Sequence, residues 1–174
     1  NETNHARLLM CHANPKGTGS AMRLELHPAH GETDGSIRLV LAPQLTVGDC
    51  LSADIDEAEC RKIAAYAKDK GVGLRTLATG CYGAMSLGAA DEAERAKAID
   101  FTKKYLQIAA WLGAETILVV PGSTSVAWDP SRPKVAYGRC WEQSTKSIKE
   151  LLPLAETLGV NIALENVWMR FLLS

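Results

Sequence analysis

From residue 37 onward the chain alternates short apolar runs with longer amphipathic stretches, and this alternation restricts its fold more than any other feature. The first run, Ile37-Arg38-Leu39-Val40-Leu41-Ala42, is closed by Pro43, which has no amide to offer a sheet ladder. After candidate caps at Ser52, Asp54 and Asp56, the residues Cys60, Ile63, Ala64 and Ala67 recur at the i, i+3, i+4, i+7 spacing of a helix with one buried stripe. Gly71 stands where such a helix should end. Val72–Ala78 reads as the next strand and runs into the loop Thr79-Gly80-Cys81-Tyr82-Gly83. Asp91 opens a second helix with Glu94 as capping-box partner. Ile99, Leu106, Ala109, Ala110 and Leu112 form its apolar side, and Gly113 stops it. Thr116-Ile117-Leu118-Val119-Val120 is the most continuous β-branched run, the pattern of a strand covered on both faces.

A loop from Pro121 to about Pro133 carries Gly122, Trp128, Asp129 and Pro130. A third helix is predicted over about 137–158, with Trp141, Ile148, Leu151, Leu152 and Ala155 facing inward. Pro153 should kink it slightly, and Gly159 caps it. Val160-Asn161-Ile162-Ala163-Leu164 is the last strand, ended by Glu165.

The pattern is therefore βαβαβαβ, which calls for a parallel sheet with right-handed crossovers. Strands over 37–42, 72–78, 116–120 and 160–165 should lie side by side in that order. An open doubly wound sheet would want a glycine-rich phosphate turn after its first strand, and Gly48 alone does not make one. A (β/α)₈ barrel places polar residues at the C-terminal ends of its strands, and Thr79, Gly122 and Glu165-Asn166 fall there. The expected fold class is thus α/β, a partial (β/α)₈ TIM barrel of parallel strands with outer helices. Residues 1–36 read as an irregular or divergent segment preceding a barrel portion over 37–174. Within that segment Leu8-Leu9-Met10-Cys11 and Met22-Arg23-Leu24-Glu25-Leu26 are strand candidates, and four glycines argue against a helix.

Composition excludes several classes. The net charge of −1, from 19 basic and 20 acidic residues, leaves no broad electrostatic footprint for nucleic acid. No apolar run approaches the roughly 20 residues that span a bilayer. The first residues lack the basic-then-apolar form of a signal peptide, and the absence of an initiator Met suggests a processed or missing start. Five cysteines, Cys11, Cys50, Cys60, Cys81 and Cys140, show no CxxC pair, so reduced thiols and a cytoplasmic location are expected. His27 and His30 are separated by a proline that disfavours a helix presenting both, and they read as surface histidines rather than zinc ligands.

Three stretches, spanning roughly residues 37 to 174, carry a family resemblance. They are Leu77-Ala78-Thr79-Gly80-Cys81-Tyr82, the segment Gly113 to Gly122, and the segment Gly159 to Trp168 followed by Phe171-Leu172-Leu173-Ser174. The last is the most specific, because a helix-ending Gly-Val, an apolar strand and Glu-Asn-Val-Trp occur in order. The sequence resembles the sugar phosphate isomerase/epimerase family of xylose-isomerase-like TIM barrels, which includes ribulose- and hexulose-phosphate epimerases and tagatose epimerase-like enzymes. The resemblance implies that the four strands are barrel strands 2 to 5. A whole barrel needs about 250 residues, so strands 6 to 8 are expected to be missing here.

It also implies an enzyme that isomerises or epimerises a small sugar or sugar phosphate through an enediolate, with a divalent cation (Mn, Mg, Co or Zn) as cofactor. Glu165 is the expected metal ligand and catalytic carboxylate. On residue chemistry alone, an ionised carboxylate at the end of an apolar strand is costly unless a cation pairs with it. A structural ion pair with a neighbouring Arg or Lys would satisfy it too. Asn166, Trp168 and Arg170 are expected to line the sugar pocket, although Trp168 equally suits a cover on the rim and Arg170 a solvated charge. Tyr82 and Trp128, on loops after strands, are further candidates to stack on a sugar, and packing is the commoner use of such rings.

The expected partner is a small carbohydrate, without nucleic acid or membrane, and self-association into a homo-oligomer is left open. The same chemistry admits an inosose-dehydratase-like lyase, or a truncated barrel that binds without turnover. An abasic-site endonuclease fits worse, since the strand ending at Thr79 offers no His and the charge is near neutral. With Glu165 as its one expected ligand, the 174-residue chain alone should be inactive, prone to associate and unable to take up stoichiometric metal.

Overall fold

The structure, a computed structural model, describes residues 7–11, 24–28, 36–41, 51–167 and 169–172. Strands β1 (Arg7–Cys11) and β2 (Leu24–Pro28) pair antiparallel, with Leu9 opposite Leu26. β1 covers the strand candidate at 8–11, and β2 overlaps the candidate at 22–26 over residues 24–26. From there the chain runs β3 (Ser36–Leu41), α1 (Glu57–Asp69), β4 (Gly73–Thr79), α2 (Glu92–Leu112), β5 (Thr116–Val119), α3 (Tyr137–Leu158) and β6 (Asn161–Leu164). The last four strands form one parallel sheet in the order β3-β4-β5-β6. Neighbours in space are thus neighbours in sequence, as a curling barrel wall requires and an open sheet with a switch of direction does not.

Local signals place the helix ends. Asp56 accepts the Glu59 amide at 2.8 Å to cap α1, and Asp91 accepts the Glu94 amide at 2.7 Å to cap α2. The expected capping box closes from one side only, because the Glu94 carboxylate pairs with Arg132 in a distant loop instead. Gly113 and Gly159 end α2 and α3 at φ 73° and 66°, backbone that a side chain would strain.

The core lies between the sheet and the helices. Leu77, Ile117 and Val119 are fully buried, against Tyr105, Leu106, Ile108 and Ala109 of α2. Each large aliphatic side chain so buried stabilises the fold by about 1.5–3 kcal/mol. In β4 the partner of the third strand jumps from Leu74 to Thr76, leaving Arg75 as an extra residue. That bulge lets Leu74 and Leu77 both reach the core. Along β5 only Ile117 and Val119 are buried, while Thr116 and Leu118 are half-covered. The expectation of a strand sealed on both faces therefore holds for the helix-facing side alone.

α3 corrects the sequence reading most clearly. Trp141 is 51% exposed and Leu152 42% exposed, although both were expected to face inward. The buried face consists of Cys140, Gln143, Ser144, Ser147, Leu151 and Ala155. Small residues are needed because two loops press directly on this helix: a Cβ at Gly88 or Gly122 would lie 2.5–2.7 Å from Ser144 Oγ and Cys140 Sγ. Ser144 Oγ donates to the Pro121 carbonyl at 2.7 Å and Ser147 Oγ to the Leu87 carbonyl at 2.8 Å. These hydroxyls satisfy loop carbonyls that an apolar helix face would leave orphaned.

Candidate active site

Because β3 to β6 are parallel, their C-terminal ends share one edge of the sheet, and the loops that follow meet there. Hydrogen bonds join those loops. Arg132, after β5, donates from Nη1 to the Gly83 carbonyl at 2.8 Å and reaches Glu94 with Nη2. The loops after β5 and β6 are joined by the Thr124 amide, which donates to the Met169 carbonyl at 3.0 Å. Thr124 Oγ1 donates to the Arg170 carbonyl, also at 3.0 Å.

Glu165 stands at this edge. Its amide donates to the Val119 carbonyl at 2.9 Å, extending the β5–β6 pairing one residue past the strand. The side chain is half-buried and has no hydrogen-bond or ion-pair partner among the described residues. The structural ion pair weighed for Glu165 is therefore not formed within them. The strand before it is less enclosed than expected: Asn161 and Leu164 are exposed, and Ile162 and Ala163 half-covered, because β6 is an edge of the sheet.

Beneath the edge lies Tyr105, a residue that sequence reasoning did not single out. It is 0% exposed, stacks on Phe101 at 5.7 Å between centroids, and its hydroxyl makes no hydrogen bond of normal geometry, although the Leu118 backbone is near. Burial holds its phenol well above the usual range, with the charges of Tyr82, Cys81 and Glu165 adding to the effect. No sequence pattern marks this residue, which reads simply as one more position on the buried face of α2.

The other candidate residues are dispersed. Tyr82 is 2% exposed, its hydroxyl 2.8 Å from Thr102 Oγ1 and its ring edge-on to Phe101. It packs in the core and presents no face to a ligand, a correction to its expected role that follows from the 3-10 turn Cys81–Gly83 folding the ring inward. Trp128 is 58% exposed at the rim, its indole 3.5 Å from where a Cβ on Gly83 would lie. Asn166 is exposed beside Glu165. Arg170 is exposed and held at φ 56°, uncommon for a residue with a side chain. Trp168 lies outside the described residues.

As a test for a metal centre, no group of three or more His, Cys, Asp or Glu side chains is gathered among the described residues. Glu165 is a suitable single oxygen donor, and these residues alone do not complete a site. Nor is any helix among them long and apolar enough to cross a membrane.

The family model for xylose isomerase-like TIM barrels matches residues 37–173. No curated protein matches the chain. Among solved structures it is similar to a D-psicose 3-epimerase solved in the presence of D-fructose, at 23% identity and TM-score 0.60, covering 76% of this chain and 42% of that one. An L-ribulose 3-epimerase superposes at 17% identity and TM-score 0.58, covering 76% and 39%. A D-psicose 3-epimerase with D-tagatose from Clostridium cellulolyticum H10 gives 17% identity and TM-score 0.58 over 76% and 42%. The chain thus spans about two fifths of the length of these structures.

Proposed function

The chain belongs to the xylose isomerase-like TIM-barrel family, and on that footing we propose that it forms one wall of a divalent-metal-dependent isomerase or epimerase of a small sugar or sugar phosphate. The observation that carries this reading is Glu165, a half-buried carboxylate without a partner among the described residues, at the C-terminal end of a barrel strand. Carboxylates in that position are where barrel enzymes keep their chemistry. The solved epimerases with this fold support the same class of reaction.

Isomerising or epimerising a ketose begins with removal of a proton from the carbon beside the carbonyl. Glu165 accepts that proton on a carboxylate oxygen, and a second group returns one to the product. Glu165 would be one ligand of a divalent cation (Mn²⁺, Mg²⁺, Co²⁺ or Zn²⁺), which would supply Lewis-acid polarisation of the substrate oxygens. The exposed Asn166 would hydrogen-bond a sugar hydroxyl and the exposed Trp128 would stack on a sugar ring. Arg170 and Trp168 complete the proposed pocket lining. We place the start of the barrel portion at residue 37, where the family match begins, and the enzyme in the cytoplasm, a reading supported by Cys60, Cys81 and Cys140 standing outside any disulfide.

The test is Glu165→Gln, nearly isosteric, in a chain long enough to supply the remaining ligands. Metal content and epimerisation of a ketose panel are measured. Turnover should fall by about 10²–10⁴-fold, the usual contribution of a positioned proton acceptor, with the circular dichroism spectrum unchanged. Unimpaired activity would make Glu165 structural and displace the site.

A further inference from the structure

We propose that the cleft between the loops after β5 and β6 binds a phosphate monoester dianion; the sugar-isomerase reading enters only in suggesting that a ketose carries the phosphate. The cleft is lined by Thr124, Ser125, Lys134, Val135, Tyr137 and Arg170. It holds two cations, Lys134 and Arg170, and neither has an ion-pair or side-chain hydrogen-bond partner among the described residues. The surrounding backbone is fixed. Thr124 ties the two loops together through Met169 and Arg170, the Val135 amide donates back to the Thr124 carbonyl at 3.0 Å, and Arg170 is held in its left-handed conformation.

The cleft also adjoins the start of α3, with Tyr137 as the shared residue. This helix of 22 residues begins after Ala136 without a side-chain cap and has no acidic residue in its first turn, which instead contains Arg139. The positive end of a helix dipole and two exposed side-chain cations therefore border one cleft, with no acidic residue lining it. An anion bound there would interact favourably with all three. Two charges, the Ser125 and Tyr137 hydroxyls and the first amides of the helix match a dianion with several acceptor oxygens better than a carboxylate with two.

Inorganic phosphate is titrated into the 174-residue chain and followed by ³¹P line broadening and calorimetry. Ribulose 5-phosphate, ribulose and acetate are titrated alongside. Phosphate should bind, with affinity falling as salt is raised. Lys134→Gln should weaken it about tenfold, the loss expected for one charge-assisted hydrogen bond. Arg170→Gly should do the same while tolerating φ 56° without strain, so that weaker binding with an undiminished melting temperature separates recognition from folding. Tighter binding of ribulose 5-phosphate than of phosphate or ribulose assigns the cleft to a sugar phosphate, and equal binding of the two phosphates assigns it to the free ion; both support the site. No binding by the wild type at millimolar phosphate, unchanged affinity in the folded double variant, or acetate binding as well as phosphate would each overturn it. Glu165→Gln should leave phosphate affinity intact, so failure of the isomerase reading and failure of this cleft are told apart.

Discussion

Tyr105→Phe should make the protein more stable. The Tyr105 ring is enclosed and stacked on Phe101, while its hydroxyl has no hydrogen-bond partner of normal geometry among the described residues. A buried polar group left unpaired costs about 1–3 kcal/mol, since water is given up and nothing replaces it. The substitution removes one atom and keeps the ring, so the loss of dispersion is about 0.1–0.2 kcal/mol for each contact the oxygen made. The desolvation cost is the larger quantity, and the net gain should be about 1–2 kcal/mol. For a chain of this size each kcal/mol moves the melting temperature by about 2–4 °C, giving an increase of about 2–8 °C.

The pH dependence supplies an internal check. With its folded pKa raised above the ordinary value of 10.0 by burial, the native phenol stays protonated where the unfolded one ionises. Its contribution to stability is complete below pH 10 and declines above it, so the advantage of the Phe variant should widen in alkali. Urea unfolding at pH 7 and pH 10.5 measures both effects. A variant less stable than wild type by 1 kcal/mol or more would refute the reasoning, because the hydroxyl would then hold a partner that matters.

Two further outcomes are expected. Gly88→Ala should destabilise the fold by about 1–3 kcal/mol in urea titration, since its Cβ would sit 2.5 Å from Ser144 Oγ and 3.0 Å from the Cys140 carbonyl; an unchanged midpoint would mean that the loop and α3 are not in contact. Burial, with the charges of Asp56 and Glu59, pushes the Cys60 thiol from 9.0 up to about 11. The unfolded thiol therefore ionises first, and stability should fall between pH 9 and 11 by an amount that Cys60→Ala abolishes.

What could be read from the sequence depended on how local its cause was. The four parallel strands and the caps at Asp91, Gly113 and Gly159 were legible because a few adjacent residues determine each of them, and Asp56 was one of three candidates for the first cap. The buried face of α3 was not, because apolar periodicity pointed to Trp141 and Leu152, whereas the helix turns serines inward to serve the Pro121 and Leu87 carbonyls. Those partners lie 23 and 60 residues away in sequence. Tyr82 was left open between stacking and packing for a related reason: a ring on a loop after a strand looks available until Thr102, 20 residues on, satisfies its hydroxyl. The position of Glu165 at the strand end was legible, but its lack of a partner among the described residues is a fact about its surroundings and could emerge only from the fold. Likewise the left-handed backbone of Arg170 has no glycine to announce it and coincides with the hydrogen bond from Thr124.

The strand order β3-β4-β5-β6 has a consequence for how the chain is made. Each strand–helix unit adds to the sheet beside the one synthesised just before it, so every new segment leaving the ribosome meets a finished surface. Each of β4, β5 and β6 finds its earlier neighbour already made, rather than exposing that edge for seconds at synthesis rates of about 5–20 residues per second. Growth is vectorial, and the entropic cost of closing each loop is set by one βα connection rather than by the whole chain. β6 is then the growing tip, and the exposed backbone of its outer edge, together with Leu164 at 49% exposure, is the surface on which a further strand would nucleate.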